Sequence, residues 1–390
     1  MKRTLFVALI SVIIITGIGL ISWVAAPIVQ DYVSITRCDE RGGVWMDDVG
    51  RCVVTSQPAV PAGTTKPGLS LVHELDLPKP PVTSTVPEIP KVTSTPVIIK
   101  DKKPPQFVNL AFDGSRSLDF WNESREFAKT MTAQGKPLRF TYFISGVYFL
   151  TPKDRMRYLS PAHTTGTSAI GWGISAKDIE ARINQVNLAS AEGHEIGSHA
   201  NGHFDGTKWT REQWDSELMQ FAEFAPKMSY AGFRAPELGR NAEMFEALKT
   251  AGYRYDTSDV GKATEWPKKL KNGLWEFPLA SIHYASSSSR LLSMDYNFFY
   301  KQTAAKETLT KGTPEWEAAY NDVLQSYRRY FNDNYDGKRA PISIGHHFSL
   351  WNDSLYWDAM KQFAFEVCGM EEVKCTTFSE LADYLDENAK

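Results

Sequence analysis

The chain has 390 residues, with 43 Lys and Arg against 46 Asp and Glu, a formal net charge of −3. That length is too great for one ordinary core unless the core is barrel-like with extensions, and the near-balanced charge gives no basis for a nucleic-acid partner. Phe, Trp and Tyr make up 12% of the chain, compatible with a sugar-binding surface as well as with an aromatic core.

The N-terminus carries two cations, Lys2 and Arg3, and then an uncharged, mostly apolar run from Leu5 to Val29. About 20 such residues span a bilayer as a helix. A cleavable signal peptide would need a cut near "VAAP", where Pro27 is unfavourable, so residues 1–30 are expected to be an uncleaved transmembrane anchor. The cations place the N-terminus inside and the remainder outside, in the periplasm or at the extracellular face. Four cysteines fit that compartment: Cys38 with Cys52 and Cys368 with Cys375 are expected to form two local disulfides. The spacing lacks any C-x-x-C pair, which argues against a four-Cys zinc site.

Residues 31–55 read as a small disulfide-closed segment. Residues 56–105 read as a Pro/Thr-rich linker, since eleven of the 21 prolines fall between Pro58 and Pro105. In the polyproline form that stretch reaches at most about 150 Å, enough to let a catalytic head move away from the membrane. Residues 106–390 have globular texture. "FVNLAF" (107–112) predicts a strand, 117–134 a helix stopped by Gly135, and "LRFTYFI" (138–144) a strand. Ile179, Ile183 and Val186 predict a helix over 176–192. "HEIGSH" predicts a short strand, and Thr210 with Gln213 a capping box opening a helix to Phe224. "AGFRAP" ends a strand, and Asn241 caps a helix that stops at Gly252. "YRYDTS", "GLWEFPL" and "PISIGHH" predict further strands, with a helix over about 314–331 before the last. Alternating strands and helices predict a parallel α/β sheet or barrel. Residues 151–175 and 281–313 are expected to be long loops that shape a substrate groove.

In such folds ligands meet the loops beyond the carboxyl ends of the strands. Asp113, His199 with His203, Arg234, and His346 with His347 all fall there. Two histidines four apart can share a metal on one helical turn. The zinc-protease pattern needs Glu at position 200, which is Ala, so the general base must come from elsewhere, and Asp113 is the candidate.

These residues resemble the polysaccharide deacetylases of carbohydrate esterase family 4. "LAFDGS" resembles their T-F-D-D-G motif, and "FTYFISG" the strand after it. "GHEIGSHANGH" resembles G-x-E-I-G-N-H-T-x-x-H. "FRAPELGRNAEMFEALKTAGY" resembles the R-x-P-x-G loop and following helix, "ISIGHH" the final L-x-H strand, and "FSELADYL" a familial ending. The resemblance implies a distorted (β/α) barrel of the polysaccharide deacetylase type over about 106–390. It also implies metal-dependent hydrolysis of N-acetyl groups from an amino-sugar polymer such as peptidoglycan, chitin or poly-N-acetylglucosamine. His199 and His203 would bind a divalent metal, most often Zn²⁺. Asp113 would be the general base, Arg234 its partner, and His346 the acid that protonates the leaving amine, with His347 as the substitute if the alignment slips by one. Trp275 and Trp351 could stack on a sugar face, with core packing as the competing role.

Three features depart from the family pattern. Gly114 stands where the family has a second aspartate, a metal ligand, whereas a catalytic zinc takes three protein ligands and a water. Asp113 itself, another group such as Asp119 or Asp205, or weak binding would have to answer that gap. Ala200 replaces a Ser or Thr, and "PELG" is one residue longer than the family turn. The expected chemistry needs a metal that lowers the pKa of water from about 15.7 to about 7, a carboxylate base, positive charge for the oxyanion and an acid of near-neutral pKa. The alternative is a catalytically impaired sugar-binding or scaffolding protein on the same fold. Hydrolysis of O-acetyl esters or of non-sugar amides would use the same groups.

Overall fold

The computed structural model describes residues 103–389 and three short strands before them, β1 (Val44–Met46), β2 (Arg51–Val53) and β3 (Ser94–Thr95). The anchor expected over 1–30, Cys38 of the expected Cys38–Cys52 bridge and, apart from β3 and residues 103–105, the linker lie outside these residues. β1 and β2 pair antiparallel, with Trp45 opposite Cys52. Among the described residues no helix is long and apolar enough to cross a membrane.

From Gln106 strands and helices alternate. β4 (Gln106–Asp113) is buried along its whole length. α1 (Leu118–Ala133) follows, its first turn capped by the Ser117 side chain accepting from the Phe120 N–H. Then come β5 (Phe140–Ile144), α2 (Ala176–Ala191), β6 (Glu195–Ser198), α3 (Arg211–Phe224), β7 (Gly232–Phe233), α4 (Ala242–Thr250) and β8 (Tyr255–Asp256). The capping box at Thr210 and Gln213 forms as the sequence predicts. The remaining elements are β9 (Val260–Lys262), β10 (Lys268–Leu270), β11 (Trp275–Glu276), β12 (Leu279–His283), β13 (Arg290–Leu292), α5 (Asp295–Thr303), α6 (Pro314–Tyr335), β14 (Ile342–His347), α7 (Trp351–Val367), β15 (Val373–Cys375) and α8 (Phe378–Asn388).

The main sheet runs β14-β4-β5-β6-β7-β8-β11-β10-β3, with β15 also paired to β4. Its neighbours from β14 to β11 are parallel. It is an open, curled sheet, so the expected barrel is a half-barrel. β9, β12 and β13 form a separate three-stranded sheet. The segment 281–313, expected to be loop, therefore contains a strand and the helix α5. Phe298 and Phe299 drive that difference, since both are buried: Phe298 packs edge-on to Tyr327, and Phe299 stacks on Trp351.

Side chains alternate along each strand, so one face of β4 carries Phe107, Ala111 and Asp113 and the other Val108, Leu110 and Phe112. The second face packs with Tyr142, Ile144, Trp357 and Phe363 into the largest apolar cluster. The first face packs against α8: Phe378, Leu381, Ala382 and Leu385 cluster with Phe107, Ala111, Phe143, Tyr255 and Trp275. Glu195 ties α8 down from β6, accepting from the Ser379 backbone N–H at 3.0 Å and from its hydroxyl. The "FSELADYL" segment thus fills the floor beneath the strand ends.

The expected Cys368–Cys375 disulfide is present, with Cα atoms 5.6 Å apart. It joins the end of α7 to β15 and so holds the entry to α8. In the chain-entropy account so short a loop contributes about 2.5 kcal/mol. The Cys368→Ser/Cys375→Ser variant is expected to unfold at a lower urea concentration, its unfolding free energy reduced by that margin. An unchanged midpoint with the wild type kept oxidised would show that the bridge is not a stabilising element.

Candidate active site

β14 and β4 lie in parallel register with His346 opposite Phe112 and His347 opposite Asp113. Residues level on neighbouring strands share a face, so His347 belongs with Asp113 and His346 with the aromatic core. Contacts agree. The His346 ring stacks on Phe120 and meets Phe112 and Trp357 edge-on. Its Nδ1–H donates to the His347 carbonyl, and its Nε2 is buried without a hydrogen-bond partner. Burial lowers its pKa. The ring of His346, expected as the catalytic acid, is thus buried among aromatic rings, with its Nδ1 3.4 Å from Asp295 Oδ2, because its strand position places it level with Phe112 and not with Asp113.

His347 is 30% exposed. Its Nδ1–H donates to Asp295 Oδ1 at 2.7 Å, and its backbone N–H donates to Asp295 Oδ2 at 2.9 Å. Burial works against protonation, but the Asp295 charge and hydrogen bond outweigh it, with a smaller contribution from Asp113, and the His347 pKa is raised. Burial would likewise raise the Asp295 pKa, but His346 and His347 hold it below the usual carboxylate range. Asp295 is fully buried at the first turn of α5. It lies in a segment read from sequence as loop, so no periodicity pointed to it. The signal that was there is an Asp just after a Ser-Met pair, at the entry to an aromatic-rich stretch.

Asp113 is 4% exposed and Arg234 fully buried, and Arg234 Nη1 donates to Asp113 Oδ1 at 2.8 Å. Arg234 Nε donates to Thr257 Oγ1 at 2.6 Å, and the guanidinium lies 4.6 Å over the Phe143 ring. The cation is therefore fixed from three sides. Burial pushes the Asp113 pKa up, but Arg234, His199 and His347 together bring it below the ordinary carboxylate value.

His199 and His203 have ring centroids 5.2 Å apart and meet edge to face. They come together through a loop, not through the helical turn that their spacing implied. Ala200 and His203 both take left-handed backbone angles, φ 51° and 58°, a strain that persists only where surroundings impose it. Glu217 of α3 imposes it here: its Oε1 accepts from the Asn201 N–H at 2.8 Å, and both its oxygens accept from the Tyr158 hydroxyl. The Gly202 N–H in turn donates to Tyr158. Gly146 is needed beside this loop, because a Cβ there would lie 2.0 Å from Asn201 Oδ1.

The His199 Nδ1–H donates to the Arg234 carbonyl at 2.8 Å, which leaves Nε2 as the lone-pair nitrogen, the arrangement a metal-ligating imidazole uses. Burial holds both rings neutral; the His203 pKa is pushed down to about 3. The pair thus suits an imidazole-seeking divalent ion. Yet no three His, Cys, Asp or Glu side chains converge into a metal-holding group among the described residues. Gly114, at φ +88° with open space around a notional Cβ, offers no donor. Asp119 is exposed on α1, and Asp205 Oδ1 is engaged by the Thr207 N–H at 2.9 Å. The fit is to two imidazoles.

Trp275, a candidate for sugar stacking with core packing as the competing role, is 2% exposed. Its Nε1–H donates to Asp386 at 2.9 Å and it stacks on Phe277, so it is a core residue that anchors α8. Its place beside the C-terminal helix, not at a strand end, explains the difference. Trp351 is half-buried, stacks 4.8 Å from Phe299 and has its ring centroid 5.5 Å from that of His347.

Residues 100–255 match the family model for polysaccharide deacetylase, which supports a domain of that kind in this stretch. No curated protein matches the chain. Solved structures similar to it include a putative polysaccharide deacetylase from Mycobacterium smegmatis, 16% identical, covering 76% of this chain and 96% of that one at a TM-score of 0.47. A chitin deacetylase from Colletotrichum lindemuthianum is 15% identical over 73% of this chain and 92% of its own, at 0.41. A family 4 pseudoenzyme from Bacillus anthracis is 10% identical over 72% and 66%, at 0.40.

Proposed function

We propose, on the premise of a polysaccharide deacetylase domain over 100–255, that the protein hydrolyses N-acetyl groups on an amino-sugar polymer or oligomer. One observation carries this reading. Asp113 and His347 stand level on adjacent strands and face the same side, each locked by its own counter-charge, Arg234 and Asp295. Their environments push the two pKa values in opposite directions, down for the carboxylate and up for the imidazole. Such a pair divides into a base and an acid.

Asp113 takes the proton from the attacking water, and Arg234 keeps its carboxylate ionised and oriented. His347 gives its proton to the departing amine, with Asp295 holding the Nδ1–H so that Nε2 presents that proton. The Trp351 ring offers a flat face for a sugar beside the acid. A divalent ion, zinc foremost, would be held by His199 and His203 and would supply Lewis acidity toward the acetyl carbonyl and a more acidic bound water. Anchoring of this domain to the membrane, on its periplasmic or extracellular side, is part of the same proposal; the apolar run at 5–29 and the Cys368–Cys375 disulfide support it.

Acetate release from chitin oligomers and from peptidoglycan tests the reading. The wild type is expected to release acetate, and His199→Ala at least tenfold less. Equal release from both would remove the imidazole pair from the reaction.

Gly114 favours a second reading, a protein impaired in catalysis that retains sugar binding. Gly114→Asp would place a carboxylate in open space, at a backbone cost of about 1–2 kcal/mol for the left-handed angle. Metal content by mass spectrometry is expected to rise in that variant. Acetate release by Gly114→Asp with none from the wild type would establish the second reading.

A further inference from the structure

Away from the strand ends, β9, β12, β13 and α6 enclose a cleft of about 470 Å³. Its charged wall is Lys262, Arg290 and Arg329, with His283 among them and Asp333 as the one carboxylate. None of Asp113, His199, His203, Arg234, Asp295 or His347 lines it.

The cations there are poorly neutralised. Arg290 Nη1 donates to His283 Nε2 at 2.7 Å and its Nη2 to the Ser281 carbonyl at 2.5 Å. Both partners are neutral acceptors, so the guanidinium is positioned but its charge is not cancelled. Arg329 has Asp333 at 3.9 Å, beyond hydrogen-bond reach. Of the two acids three residues from Lys262, Asp259 is paired with Arg240, and Glu265 is shared between Lys268 at 2.6 Å and the Lys262 backbone N–H at 3.0 Å. A hydrogen bond accepted at Nε2 also requires His283 to be neutral. Its pKa is lowered, by burial and then by Arg290 and Arg329, with Asp333 opposing. Three cations against one carboxylate leave a positive hollow, and guanidinium forks match phosphate oxygens in pairs. The hollow is larger than a phosphate, of the size that holds a small molecule, and Ala263, Thr264, Ser281, Ile282 and Tyr330 supply its remaining wall.

We propose that this cleft is a phosphate-binding site that accepts a phosphate group carried on a sugar or free in solution. It stands apart from the deacetylase reading and does not depend on it.

Calorimetric titration of the full-length protein tests it, with N-acetylglucosamine 1-phosphate, inorganic phosphate and neutral N-acetylglucosamine as probes. Saturable binding of the sugar phosphate is expected, weakened by added salt. The Arg290→Gln/Arg329→Gln variant, checked for an unchanged thermal midpoint, is expected to bind at least tenfold more weakly. Equal affinity for inorganic phosphate would identify free phosphate as the ligand and uphold the site. A proton-resonance titration of His283 supplies a second readout: bound phosphate should raise its pKa, since coupling between two binding events is reciprocal. No saturable binding of either phosphate probe, or equal binding by the folded double variant, overturns the proposal. So does a His283 titration that phosphate leaves unmoved.

Discussion

Asp113→Asn is expected to lower kcat/KM for acetate release by about 10²–10⁴-fold, the usual contribution of a positioned general base. The substitution keeps the size of the side chain and an oxygen that can accept from Arg234. It removes the charge that both the water proton and the guanidinium require. Arg234 is fully buried, and breaking a buried pair leaves an uncompensated charge that costs about 3–5 kcal/mol. Loss of activity must therefore be read beside urea unfolding at neutral pH, and activity measured where the variant is folded. The pH dependence has a definite sign. The folded-state pKa of Asp113 is depressed, so its contribution to stability is present above the unfolded value of 3.8 and is lost as pH falls through the lower folded value. Wild type should lose stability in that acid window more steeply than Asp113→Asn. A folded variant with undiminished kcat/KM would remove Asp113 from the base role.

His347→Gln should cost a comparable 10²–10⁴-fold in kcat/KM as the loss of a general acid. His346→Gln should act on stability instead, by about 1–3 kcal/mol for a buried polar group left without its partner, because its ring lies among Phe112, Phe120 and Trp357. The two neighbours are thus separated by which quantity moves. The reverse pattern, with activity lost at 346 and kept at 347, would sink the assignment. Asp295→Asn adds a pH test. With its folded pKa raised, His347 contributes stability below its unfolded value of 6.5, and that contribution fades as pH climbs through the raised value. Its protonated form is also the acid, so the alkaline limb of kcat/KM should shift to lower pH in Asp295→Asn. A purely structural Asp295 would lower stability without moving that limb.

The sequence by itself determined the alternation of strands and helices from Gln106 onward, the caps at Thr210 and Asn241, and the Cys368–Cys375 bridge. It also determined which strand ends carry Asp113, His199, His203, Arg234 and the 346–347 pair. All of these are local: periodicity, capping chemistry and short spacing are written in adjacent residues. Only the tertiary structure decided which of His346 and His347 stands level with Asp113, since that depends on the register of β14 against β4, strands more than 220 residues apart in sequence. It alone brought in Asp295 and Glu217, each of which acts by reaching across to another element. It moved Trp275 from a sugar platform into the core by packing α8 against the same face of the sheet. A side chain's chemistry can be read from its letter, but the neighbours that charge it, bury it or aim it are supplied by contacts that chain order does not encode.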